Sequence, residues 1–350
     1  MKTLNNDHID VCLSTKGYDN VLFLGMGGGG DIATAAVLAL SYERCGGRSV
    51  IGSIVWERYI VDPVPGPIHI EEFHNIVKIG NGYAIVKRDS YAIRGGRKVV
   101  PQVVNVANVL GREVFVFDIY GGPRGLARIL KDFMNFYGVD AIIGVDVGGD
   151  AIAEGFEENL WSPLADAIVT AALAHLDNTY VAIASPGADG ELPQEYIEKR
   201  IRRIARLGGY IGGYMFTAND IETLKKILKK VISEASTIPI ILLDTDQDVI
   251  YIRDGSRSVK LSLVNLAVFI LHAVIVSRNS IARYIFEAED FNEARKILNK
   301  LSIITEYDIE EEIYRELTEK GSQAKIDLIK IRERLKAKLA KLHINIEHDK

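Results

Sequence analysis

The sequence predicts an α/β fold: an open, mostly parallel sheet with helices on both faces, a small β-hairpin and a C-terminal helical extension. Two observations carry this expectation. Short apolar runs alternate with helix-patterned segments, as expected of parallel strands joined by crossover helices. After about residue 280 the strand-like runs stop and the chain becomes helical and highly charged. The expected division is a core over residues 1–280, holding a ligand cleft, and an extension over 281–350 packed on the core or on a partner.

Val21–Gly25 (VLFLG) reads as the first strand, and Ile32–Arg44 as an Ala-rich helix closed by Gly46 and Gly47. Val50–Trp56 reads as a second strand and Tyr83–Val86 as a short one nearer an edge. Val99–Leu110 is helix-patterned and ends at Gly111. Val114–Ile119 and Ala141–Val145 read as strands, with a helix at Arg124–Tyr137 between them. Pro163–His175 reads as a helix with Ser162 as its N-cap and Pro163 at its first position. Tyr180–Ala184 and Ile238–Leu243 read as strands, separated by a helix at Ile221–Ser233. Val249–Ser262 reads as a hairpin around Asp254-Gly255, with Arg253 and Arg257 as surface charges beside the turn.

Leu261–Val276 is apolar but falls short of the roughly 20 residues a membrane span needs. It also contains Asn265 and His272, so it reads as a buried helix. Gln323–Leu342 places Leu328, Ile331, Leu335, Leu339 and Leu342 on one face of an amphipathic helix.

Composition narrows the function classes. With 350 residues, the chain is long enough for a large core, and its formal charge of −5 lacks the basic excess of a general nucleic-acid binder. The N-terminal stretch has no long apolar run, which argues against a signal peptide. The two cysteines, Cys12 and Cys45, are too few for a disulfide framework and have no metal-ligand spacing, so reduced thiols in a cytoplasmic protein are expected. High Ile, Lys, Arg and Glu with little Gln, Met and Cys resembles thermophile usage.

The firmest motif is Gly25-Met26-Gly27-Gly28-Gly29-Gly30-Asp31, which follows a strand and opens a helix. Glycines let the backbone turn tightly and approach an anion, while free N–H groups at a helix N-terminus favour negative charge. Asp31 complicates a dinucleotide reading, because a carboxylate there repels a pyrophosphate unless a cation intervenes. Glu57, the candidate ribose-binding acid, comes later than the roughly 20-residue spacing of such sites. NAD(P) is therefore the less favoured cofactor. A Walker motif, a nucleophile elbow and metal-type His pairing are all missing from the sequence.

Glycines and acids recur where strands end, which is where open α/β sheets bind ligands. Asp118 precedes Gly121, Gly122 and Arg124, and Asp146 precedes Gly148, Gly149 and Asp150. Similar turns occur at Ser185–Glu191 and Asp244–Asp246. Closely placed carboxylates raise one another's pKa and are tolerated for proton transfer or for a hard cation such as Mg²⁺ or Ca²⁺. Asp118, Asp146 and Asp150 are the candidate catalytic acids, with Asp146 and Asp150 as metal ligands. Arg124 and the basic loop Arg94–Lys98 are candidates for completing an anion site. The turns Gly27–Asp31 and Gly148–Asp150 are expected to face each other across the ligand.

The segments GMGGGGDIATA, FDIYGGPRGLARIL and GVDVGGDAIAEGFEENLWSPLADAIVTAA together resemble the domain of unknown function 1152 family, a mainly archaeal family. The likeness runs from Val21 to about Leu317 and rests on Gly27–Asp31 and on Asp146–Asp150 with Ser162, Pro163 and Asp166. It implies a Rossmann-like fold and brings no activity with it. Three functions stand open: a cation-assisted hydrolase or transferase acting on a phosphorylated metabolite or nucleotide, an NAD(P) or flavin oxidoreductase, and a non-catalytic nucleotide-binding regulator. A homo-oligomer is compatible with each, and a membrane partner with none.

Overall fold

The computed structural model describes residues 17–321 and 325–348. The chain runs β1 (Asn20–Gly25), α1 (Asp31–Arg44), β2 (Arg48–Ile54), β3 (Phe73–Gly80), β4 (Tyr83–Arg94), β5 (Arg97–Val99), α2 (Gln102–Leu110) and β6 (Val114–Phe117). It continues through α3 (Gly122–Tyr137), β7 (Ala141–Val147), α4 (Pro163–Leu173), β8 (Thr179–Ala184), α5 (Gln194–Arg206), β9 (Tyr210–Met215), α6 (Ala218–Leu228) and α7 (Glu234–Asp244). It ends with β10 (Val249–Ile252), β11 (Arg257–Lys260), β12 (Ala267–His272), α8 (Ala273–Asn279), α9 (Phe291–Lys300), α10 (Glu306–Lys320) and α11 (Leu328–His348).

The sheet order is β3-β4-β6-β2-β1-β7-β8-β12-β9, with β5 paired to β4. The five strands from β6 to β8 are parallel, and the flanking strands are antiparallel. The α/β class, the mostly parallel sheet, the separate β10–β11 hairpin and the C-terminal helices are as the sequence predicts. Side chains alternate across the sheet as the pleat demands. Val21 and Phe23 join the core under α1, α2, α6 and α7, while Leu22 and Leu24 join the core under α3, α4, α5, α8 and α9.

This order creates a switch point. From β1 the chain builds outward through β2 to β6, then returns to place β7 on the other side of β1. Val21–Gly25 pairs in register with both Ser49–Ser53 and Ala141–Val145. The loops leaving β1 and β7 therefore diverge over a crevice at neighbouring strand ends, where open α/β sheets take ligands.

Several local expectations are corrected. Ile238–Leu243 belongs to helix α7, not to a strand, and Ser233 caps this helix by accepting from Ser236 N. A short apolar run has no period that separates a buried strand from a helix. The acids of Asp244–Asp246 are accordingly not at a strand end. The stretch Leu261–Val276 is not one buried helix: it contains strand β12 between β8 and β9, then the start of α8. A strand covered on both faces reads as a continuous apolar run. Tyr83–Val86 is only the start of the 12-residue β4, and Val99 ends β5 rather than opening α2.

Helix α11 buries Ile331, Leu335 and Leu339 against Ile304, Ile309 and Ile313, forming a satellite core with α10. The side chain of Leu342, like Gln323, lies outside the described residues. Cys45 is disulfide-bonded, which corrects the reduced-thiol expectation: too few cysteines for a framework are still enough for one bridge. Cys12 also lies outside the described residues. Among the described residues, no helix is long and apolar enough to cross a membrane.

Candidate functional site

The loop after β1 is shaped by what presses on it. Gly28 has φ +83°, and a Cβ there would stand 2.5 Å from the Trp56 carbonyl oxygen. A Cβ on Gly27 would stand 2.7 Å from an Asp31 carboxylate oxygen and 2.8 Å from one of Asp166. A side chain is thus excluded at Gly28, and at Gly27 it would have to displace the two carboxylates. Gly27 N donates to Asp31 Oδ2 at 2.8 Å. The backbone N–H groups of Gly28, Gly29 and Gly30 have no acceptor among the described residues. They are free donors beside the N-terminus of α1.

Carboxylates converge beside this loop. Asp146 is the penultimate residue of β7 and is 1% exposed; it accepts from Gly149 N at 3.3 Å and Ala151 N at 3.1 Å. Asp150 follows on the next turn and accepts from Ser162 Oγ at 3.3 Å. Asp166 projects from the first turn of α4, is 2% exposed, and its Oδ1 is buried with no hydrogen-bond partner. One oxygen from each of Asp146, Asp150 and Asp166 lies within 4.8 Å of the others, and Asp150, Asp189 and Glu191 form a second such group.

Burial dominates their titration. It pushes Asp146 up to about 7, reinforced by the charge of Asp31, and it pushes Asp31 itself up to about 7. Asp189 is pushed up to about 8 by burial and by Glu191. Asp150 and Asp166 are raised well above the usual carboxylate range, again by burial and then by each neighbouring acid. Two like charges about 4 Å apart repel by about 4 kcal/mol at an effective dielectric of about 20. Such a set stays ionised at neutral pH only with compensating positive charge.

The two groups differ in how much compensation the protein supplies. Glu191 accepts from Trp161 N at 2.7 Å, Ser162 N at 3.1 Å, Ser162 Oγ, and Arg257 Nη1 at 3.0 Å. Its lone pairs and its charge are thus largely satisfied. No arginine or lysine pairs with Asp146, Asp150 or Asp166 among the described residues. The Asp146–Asp150–Asp166 group is therefore left without a compensating cation from the protein. Ser162 does not cap α4 with its side chain, as the sequence suggested; its hydroxyl serves Glu191 and Asp150.

Helix α10 closes the cleft from above. Glu306 accepts from Leu164 N at 2.9 Å and Ala165 N at 2.7 Å, so it caps α4 from a distant part of the chain. Glu310 accepts from Trp56 Nε1 at 2.8 Å and Gly66 N at 2.9 Å. Burial pushes these glutamates up to about 7 and about 8. The cleft holds about 170 Å³ and shares Arg58, Tyr59, Trp161, Arg253 and Arg257 with an adjoining chamber of about 290 Å³.

The structure brings Gly27, Gly28, Gly29, Gly30, Asp31, Asp146 and Asp150 to one cleft. Gly25 ends β1 beneath it, Gly148 packs against the Asp189 carboxylate, and Gly149 packs on Ile197. Other sequence-predicted residues lie elsewhere. Asp118 follows β6, which β2 separates from β1; it pairs with His69 Nδ1 at 2.7 Å and accepts from Tyr120 N at 2.8 Å. Gly121 and Gly122 start α3, Gly122 against the Asp290 backbone, and Arg124 pairs with Glu287 at 2.7 Å.

The basic loop does not close over the cleft through Arg94. That side chain is buried and bound to Asp62, Glu72 and the carbonyls of Val64, Pro65 and Gly66. Arg253 and Arg257, read as surface charges, instead line the cleft. Asp166, Asp189, Glu191, Glu306 and Glu310 also line this cleft and are not among the site residues the sequence predicts. Asp166 left a signal: it is the only charged residue in the otherwise apolar helix PLADAIVTAAL.

The family described as "Protein of unknown function (DUF1152)" matches residues 22–314, and the chain belongs to that family. The matched span holds β1 from Leu22 onward, both glycine–aspartate turns, Asp166, Glu306 and Glu310, and it stops before α11. Neither the curated proteins nor the solved structures contain a match.

Proposed function

We propose that this member of the DUF1152 family binds a small phosphorylated metabolite or nucleotide together with a divalent cation, and acts on it as a hydrolase or transferase. The observation that carries this reading is Asp166 Oδ1. It is a buried, unpartnered carboxylate oxygen beside Asp146 and Asp150, in the cleft that the free N–H groups of Gly28–Gly30 also line. Carboxylates that lack a protein cation call for a hard metal ion with oxygen ligands. Free N–H groups at a helix N-terminus call for an anion. A phosphate bridging loop and cation satisfies both.

On this reading Asp146, Asp150 and Asp166 hold the cation, which would polarise the phosphoryl group as a Lewis acid. The loop N–H groups orient the phosphate oxygens. Asp31, held by Gly27 N in the same cleft, is the group placed to accept or return a proton. Glu57 gives the nicotinamide reading no support: its carboxylate is buried and accepts from Gln102 N at 2.7 Å, at the start of α2.

The test is calorimetric titration of Mn²⁺ into the purified protein and into Asp166→Asn and Asp150→Asn variants. The expected result is one tight site, weakened at least about tenfold by either substitution, since each removes a charged ligand. Unchanged Mn²⁺ affinity in both folded variants sinks the assignment.

A further inference from the structure

We propose that the mouth of the cleft is a second anion subsite, built from Arg58, Arg253 and Arg257. The ligand then carries two separated anionic groups, at least one of them a phosphate, joined by an uncharged spacer. One group sits at the glycine loop and its cation, and for that half the inference rests on the reading above.

The subsite starts from a strained turn. Arg253 and Asp254 have φ +55° and +52°, the left-handed region that residues with side chains seldom occupy. Such a conformation persists where its surroundings hold it. Here Arg253 N donates to Glu234 Oε1 at 2.9 Å, which ties the β10–β11 turn to the first residue of α7. The tie brings Arg253 into the cleft lining, where Arg257 also lies.

Glu234 also accepts from Arg58 Nη1 at 3.1 Å, while Arg257 Nη1 serves Glu191 and the Asp189 carbonyl. Arg253 Nε lies 3.0 Å from Glu234 but makes no aligned hydrogen bond. Three guanidinium groups thus share the two carboxylates they contact, Glu234 and Glu191, in a chamber that Glu57 and Asp254 also line. Arg58 Nη2, Arg257 Nη2 and both terminal nitrogens of Arg253 have no acceptor among the described residues. Planar forks with unused donors match the oxygens of a phosphate or carboxylate. Tyr59 and Leu328 line the same chamber and offer an apolar surface to an uncharged spacer, while the Trp161 ring is held under the Arg257 and Arg332 guanidinium groups.

The experiment measures binding of alkane-α,ω-diyl bisphosphates of graded spacer length, and of the matching alkyl monophosphates, to the Mn²⁺-loaded protein. The expected result is one spacer length bound at least about tenfold more tightly than its monophosphate, as a second charge-assisted contact provides. Arg253→Gln and Arg58→Gln, which keep a donor toward Glu234, should each remove most of that preference while one Mn²⁺ site is still titrated. The subsite is overturned when no spacer length is preferred, or when the preference survives both substitutions. Mn²⁺ binding without bisphosphate preference removes the subsite and leaves the cation reading standing. Arginine-dependent preference without Mn²⁺ binding supports the subsite and removes the cation.

Discussion

Gly27 donates its backbone N–H to Asp31 at 2.8 Å, so the glycine loop holds a carboxylate of its own before any ligand arrives. The loop is therefore not simply an open phosphate cradle. One of its donors is committed, and the acid it holds shares the cleft with Asp146 and Asp166. Gly27→Ala is expected to place a methyl group against both the Asp31 and Asp166 carboxylates. The cost should be about 1–3 kcal/mol of stability, as for other overpacked sites. Mn²⁺ affinity should fall as well, because Asp166 must move. Denaturant unfolding and Mn²⁺ titration of the variant check both effects, and wild-type values in both would show that the loop tolerates a side chain.

The buried acids give the metal-free protein an unusual pH dependence. Ordinary values are 3.8 for Asp and 4.5 for Glu, and the folded protein holds Asp31, Asp146 and Glu306 at about 7 and Asp189 and Glu310 at about 8. Between those limits the folded state binds more protons than the unfolded state, so stability falls as pH rises. The contribution is fully present below the ordinary carboxylate values and is lost as pH climbs through about 7 to 8. In a chelator, the melting temperature should therefore drop from about pH 5 to about pH 8. Mn²⁺ should flatten that drop, because a bound cation stabilises the ionised acids. A melting temperature that rises over this range in chelator contradicts the burial of these groups as acids.

Much of this site was legible because of where its residues fall in the chain. Asp146 is the penultimate residue of an apolar strand and Asp31 and Asp150 sit just past one, and strand ends are where open α/β sheets gather ligands. Asp118 sits just past a strand too, yet strand order is a tertiary fact that spacing does not reveal, and β2 intervenes. Glu306 and Glu310 share an amphipathic helix with Ile309 and Ile313 and read locally as solvated acids. Only the packing of α10 onto α4 and Trp56 turns them inward. Strand β12 and helix α7 were misread for one physical reason: short, fully apolar runs carry no period.

The position of Asp118 gives a contrast. Its partners are His69 and Tyr120, and the His69 ring stacks on Tyr120 at 3.8 Å between centroids. Asp118→Asn should loosen this rim contact, with a stability change below about 1 kcal/mol for a partly exposed pair. Mn²⁺ affinity should be unchanged, unlike the loss expected for Asp166→Asn. A fall in Mn²⁺ affinity comparable to that of Asp166→Asn would place Asp118 back in the site, through a rearrangement of the β6 loop.

Glu306 tests whether the C-terminal helices belong to the cleft in energy as well as in space. Its two carboxylate oxygens satisfy the Leu164 and Ala165 N–H groups, which α4 leaves without intrahelical partners. No side chain of the local sequence caps that terminus. Glu306→Ala should therefore cost about 1–3 kcal/mol, the usual penalty for leaving buried donors unmet. Asp166 lies in the same first turn, so the α4 terminus that fraying would loosen also carries a cation ligand. Mn²⁺ affinity should accordingly fall along with stability. Amide hydrogen exchange would locate the effect, with faster exchange in the first turn of α4 and unchanged exchange in β1 and β7. Exchange that quickens only within α10 would mean that Glu306 supports its own helix and not the site.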